Sequence, residues 1–104
     1  MIKTEARNGT DTERRKIRQV VRQLAEQDYE VQAEVRGLSI PPALKPSGII
    51  PDIVATENGQ ILIVEVKTPG GVKKSKDRLK TLAELAEQRA DVRLRLVVTK
   101  PRKE

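Results

Sequence analysis

The dipeptide Asn58-Gly59, set between two apolar runs, limits what this chain can fold into more than any other feature. Asn-Gly accepts the positive φ angles of a two-residue type I′ turn, so residues 50–68 read as the two strands of a hairpin. A two-residue loop also fixes the register: Glu57 faces Gln60, Thr56 faces Ile61, Val54 faces Ile63 and Asp52 faces Glu65. Directly opposed side chains lie about 4.5–5.5 Å apart on one face of a sheet. The hairpin therefore predicts two carboxylates looking at each other.

Their neighbours, Ile50, Ile53, Val54, Ile61, Leu62, Ile63, Val64 and Val66, are apolar on both strand faces, as in strands covered from both sides. Opposed like charges destabilise a sheet, and poor access of water worsens the repulsion. Lys67, two residues past Glu65 and so on the same face, supplies one positive charge. A divalent cation would supply two more. Mg²⁺ is commonly held by one or two carboxylates and keeps water for work on phosphates. The plainer alternative is a Glu65–Lys67 neighbour pair, with Asp52 merely opening a strand.

Composition narrows the chemistry. With no Cys and no His, thiolate or imidazole zinc sites, Cys–His nucleophiles and Ser–His–Asp triads are excluded. At 104 residues the chain fits one domain, 1–104. Its 21 Lys and Arg against 15 Asp and Glu, net +6, favour a polyanionic partner. Tyr29 is the sole aromatic residue, which argues against a base-stacking surface and for contact with backbone phosphates. No apolar run approaches about 18 residues and the first eleven residues are polar, so the expectation is a cytoplasmic protein with no membrane association.

In chain order, residues 1–9 read as a loose terminus. Thr10, Asp11 and Thr12 offer helix caps, and Ile17, Val20, Val21 and Leu24 follow at helical spacing to about Gln27. Glu13 lies one turn before Ile17 on the inward face and has two readings. It completes a capping box with Thr10, or it reaches the hairpin carboxylates as a third acidic group. Arg14, Arg18 and Arg22 fall at i, i+4, i+8, a solvated stripe or a grip on phosphates.

Residues 29–36 alternate as an edge strand, and residues 38–48, with Pro41, Pro42, Pro46 and Gly48, read as a loop at the rim of the hairpin. Pro69-Gly70-Gly71 ends the hairpin. Lys73, Lys74 and Lys76 then read either as a solvated loop or as nucleic-acid contacts beside Lys67. Ser75 offers a cap for a second helix carrying Leu79, Leu82, Ala83, Leu85, Ala86 and Ala90. Residues 92–98 form a last strand, and 99–104 a polar tail. The order αβββαβ predicts an α/β fold: a mixed four-stranded sheet flanked by helices, with the last strand returned parallel to the third by a right-handed crossover.

Pro51-Asp52, a spacer and Glu65-Val66-Lys67, carried on a hairpin, resemble the PD-(D/E)XK signature of the restriction-endonuclease-like nucleases. More closely, residues 24–98 are similar to a family of small bacterial domains described as archaeal-Holliday-junction-resolvase-like. Asp28-Tyr29, Pro41, Val64-Glu65-Val66-Lys67, Leu82-Ala83-Glu84-Leu85-Ala86 and the closing strand carry the likeness. Glu13 departs from it, lying about one helical turn farther from the first strand than the acidic residue of the resolvases.

The resemblance implies a restriction-endonuclease-like core and a nuclease acting on DNA, branched or structured DNA included. It implies that Asp52, Glu65 and the carbonyl of Val66 hold Mg²⁺ or Mn²⁺, and that Lys67 orients or deprotonates the attacking water. A catalytically silent nucleic-acid-binding module is the alternative, and a regulatory or structural partner protein a third reading. Cutting both strands of a duplex calls for a homodimer.

Overall fold

The computed structural model describes residues 11–100. The chain runs α1 (Asp11–Glu26), β1 (Glu30–Ala33), β2 (Ile53–Glu57), β3 (Gln60–Lys67), α2 (Pro69–Lys74), α3 (Lys76–Gln88) and β4 (Val92–Val98). The strands form one sheet in the order β1-β2-β3-β4, antiparallel except that β4 lies parallel to β3. This is the mixed sheet that the order of apolar patterns predicts.

Asn58 and Gly59 take φ of +52° and +81° at the β2–β3 turn, as a type I′ turn requires. The register counted out from it holds through Glu57↔Gln60, Thr56↔Ile61, Val54↔Ile63 and Ile53↔Val64. One step further lies Asp52 opposite Glu65, just before β2 begins.

Strand alternation sorts the side chains onto two faces. Leu62, Val64 and Val66 of β3, with Ile53 and Ala55 of β2 and Ala33 of β1, meet Ile17, Val20 and Leu24 of α1 in the main core. Burying a side chain such as Leu24 contributes about 1.5–3 kcal/mol. The odd-numbered residues of β3, Glu65 and Lys67 among them, point to the other face, where α3 lies and Leu82 is buried. The acidic pair and α1 are thus on opposite sides of the sheet.

Four details differ from the sequence reading. The first strand ends at Ala33, because Val35 N–H and Leu38 N–H turn back onto the carbonyls of Ala33 and Val35. Residues 69–74 are helical, not a loop. Thr68 is the N-cap, its hydroxyl accepting from Gly71 N–H at 3.0 Å, and Pro69 fills the first turn, where its missing N–H costs nothing. Ser75 joins the two helices but makes no side-chain capping bond. The apolar stripe of α3 is shallow, with Leu82 alone buried and Ala83 exposed. Thr10, residues 1–9 and residues 101–104 lie outside the described residues.

Candidate active site

Asp52 precedes β2, and Glu65 and Lys67 close β3, so the hairpin register alone brings three charged groups together at one end of the sheet. Asp52 is 7% exposed and Glu65 is fully buried. The backbone N–H of Asp52 donates to Glu65 Oε2 at 2.9 Å, and that of Val66 donates to Asp52 Oδ2 at 2.8 Å, so each carboxylate is tied to the other's strand. Lys67 Nζ lies 3.4 Å from both Asp52 Oδ2 and Glu65 Oε1.

A fourth member comes from α3. Arg78 donates from Nε to Glu65 Oε1 at 2.8 Å and from Nη2 to Glu65 Oε2 at 3.3 Å, while Nη2 also reaches the Ile50 carbonyl at 2.8 Å. The cluster therefore holds two charges of each sign. Arg78 escapes a reading centred on the hairpin, although a signal exists: it lies one turn before Leu82, at i and i+4, on the inward face of its helix.

The electrostatics follow from this packing. Burial, then the facing Glu65 charge, raises the Asp52 carboxyl above its ordinary range, and the Val66 N–H, Lys67 and Arg78 only partly offset them. For Arg78, burial works against the charge, but the hydrogen bonds and charge of Glu65, with Asp52 adding to them, outweigh it and raise the guanidinium's pKa.

Glu13 is buried on the α1 side, where its Oε2 accepts the N–H of Thr68, the residue after Lys67, at 2.8 Å. It braces the junction between β3 and α2. A side chain at Gly71 would meet this same oxygen at 3.0 Å, so the close approach of Glu13 suits a glycine there. The Thr10 half of the capping reading lies outside the described residues.

Lys73 and Lys74 end α2 and Lys76 opens α3, all exposed and within ten residues of Lys67. Arg14, Arg18 and Arg22 do not share one cleft. Arg14 and Arg18 line a cleft with Glu34 and Arg36 near β1, and Arg22 lines a groove beside β4. Residues four apart on a helix drift by about 40° per step, which turns Arg22 about 80° from Arg14.

As donors, Asp52 and Glu65 are hard oxygen ligands of the kind Mg²⁺ and Mn²⁺ take. Asp52 Oδ1 carries no hydrogen bond among the described residues, whereas both oxygens of Glu65 are engaged. No group of three or more His, Cys, Asp or Glu suited to a metal occurs among the described residues. The pair fits a dication in chemistry, on condition that Arg78 yields Glu65. Among the described residues no helix is long and apolar enough to cross a membrane.

A family model described as AHJR-like, for restriction endonucleases resembling archaeal Holliday junction resolvases, matches residues 5–104, the first helix and Glu13 included. No curated protein and no solved structure matches the chain.

Proposed function

The chain belongs to this AHJR-like, restriction-endonuclease-like family, and from that premise we propose that it is a Mg²⁺- or Mn²⁺-dependent endonuclease hydrolysing phosphodiester bonds of DNA. The observation that carries this reading is the Asp52–Glu65 pair, dry and face to face with Lys67 at 3.4 Å from both. A purely structural pair gains little from such an arrangement, since burying two like charges costs more than apolar residues of the same size would.

Asp52 Oδ1 and one oxygen of Glu65 would hold the ion, with the Val66 carbonyl, which lies on the strand edge that already serves Asp52 through the Val66 N–H. A bound ion supplies positive charge at the scissile phosphate and acidifies a water. Lys67 would orient the attacking water and balance the negative charge that develops, as an ammonium 3.4 Å from both carboxylates can. Arg78, once off Glu65, has its donor fork free for a phosphate oxygen. Glu13 sets the height of Thr68, and through it of Lys67. Lys73, Lys74 and Lys76, with Arg14, Arg18 and Arg22, are the surface cations proposed to meet phosphates.

The second reading, a silent nucleic-acid-binding module, is favoured by one observation: Arg78 already neutralises Glu65. Purified protein with Mn²⁺, assayed on supercoiled, linear and branched DNA, separates the two. The nuclease reading expects cleavage that Asp52→Ala reduces by at least a hundredfold, in line with about 2.7–4 kcal/mol for loss of a principal charge-stabilising group. Salt-sensitive DNA binding indifferent to EDTA, with no product, selects the module.

A further inference from the structure

The groove between α1 and the outer edge of β4 enters the reading above only through Arg22. It has a volume of about 630 Å³ and is walled by Arg15, Lys16 and Arg22 on one side and residues 97–100 on the other. Arg15, Lys16, Arg22 and Lys100 bring four positive charges to it, and among the described residues no Asp or Glu lines it. The Lys16 ammonium finds a neutral partner, Gln19 Oε1 at 2.9 Å. Arg15 and Arg22 are seven residues apart on α1, so the charges are spread over about 10 Å.

Two further observations point to a ligand. Thr99 Oγ1, in the lining, is buried and has no hydrogen-bond partner among the described residues. Buried hydroxyls are rarely left so, and an acceptor or donor arriving from outside would satisfy it. The groove also adjoins the strand end that carries Lys67, since Thr99 N–H donates to the Lys67 carbonyl at 2.9 Å. Beyond β4 the sheet has no further strand among the described residues, so this edge is open for a ligand to cross.

We propose that this groove binds the sugar–phosphate backbone of a nucleic-acid strand, leading it from the Lys67 end of the sheet around the β4 edge and onto the α1 face. The choice of nucleic acid over an acidic peptide rests on the nuclease reading of the adjoining site. Arginine forks match phosphate oxygens two at a time, and a strand presents such oxygens at regular intervals along a groove of this length.

The test uses the full chain in EDTA, so that binding is measured without cleavage, with a labelled single-stranded DNA oligonucleotide followed by fluorescence anisotropy over a range of KCl. The triple variant R15Q/K16Q/R22Q should bind at least tenfold more weakly, with a log–log salt slope shallower by about 2, as loss of three single-strand phosphate contacts requires. K45Q/K80Q/R89Q, which removes the same charge elsewhere on the exposed surface, should change affinity less than threefold. T99V, which removes only the hydroxyl, should weaken binding severalfold while raising the thermal midpoint of the free protein. Equal losses in the two triple variants would mean net charge alone, and would overturn the proposal. So would an unchanged slope, or displacement of the DNA by polyglutamate at equal charge concentration. A protein that cuts nothing yet shows the expected slopes would sink the nuclease reading and leave the groove standing.

Discussion

The two ends of the β2–β3 hairpin share one register and are held by different physics. At the turn end, Asn58 and Gly59 satisfy a backbone requirement with their own positive φ angles, and nothing distant is needed. At the other end, the same register forces Asp52 against Glu65, and the result is stable only because charge arrives from elsewhere: Lys67 from two residues on, and Arg78 from thirteen residues away on another element. A register can be counted from a turn. What compensates a pair of charges has to be found in the packing.

The hardest way to break the site end is to remove Arg78. R78A leaves Glu65 fully buried with Lys67 as its one remaining cation among the described residues, a loss of about 3–5 kcal/mol of stability on the scale of broken buried ion pairs. Millimolar Mn²⁺ should restore part of it, giving R78A a larger metal-dependent rise in thermal midpoint than the wild type, as differential scanning fluorimetry would show. An equal rise in both proteins would mean that Arg78 and the ion do not compete for Glu65.

At the turn end, G59V places a β-branched residue at φ +81°, where L residues pay about 1–2 kcal/mol. Urea unfolding should show this loss with no change in Mn²⁺ affinity, because the strain stays at the turn. A weakened Mn²⁺ affinity would show the two ends to be coupled.

The smallest effect concerns pH. The Asp52 carboxyl is raised above its ordinary value of 3.8, first by burial and then by Glu65. A raised acid favours the fold most when it is protonated, so its contribution is complete below the ordinary value and is lost as pH rises through the folded one. D52N keeps an oxygen to accept the Val66 N–H and removes that loss. It should therefore match the wild type near pH 3.5 and equal or exceed it at pH 7 without metal. A variant that falls below the wild type as pH rises would reverse the sign assigned to Asp52.

Much of this was legible from residues alone, and for the same reason that the turn end is simple. The Asn58-Gly59 turn, the period-two strands and the helical spacing of Ile17, Val20 and Leu24 are local signals, and they placed the sheet, its parallel last strand and the opposed carboxylates. The α2 helix was hidden because Gly70-Gly71 reads as a breaker, although Thr68-Pro69 is a good helix start. Arg78 was hidden because its role depends on where α3 crosses the sheet. The Arg14–Arg18–Arg22 stripe looked continuous because i, i+4, i+8 ignores the drift of a real helix, and the fold divides it between two clefts.

The nuclease proposal stands or falls on whether Asp52 and Glu65 together hold a divalent ion. Calorimetric titration with Mn²⁺ at pH 7.5, on the wild type and on E65Q, tests it most directly. One ion per chain is expected for the wild type, and at least tenfold weaker binding for E65Q. Equal affinity in the two proteins, or no binding to the wild type at millimolar Mn²⁺, would contradict it.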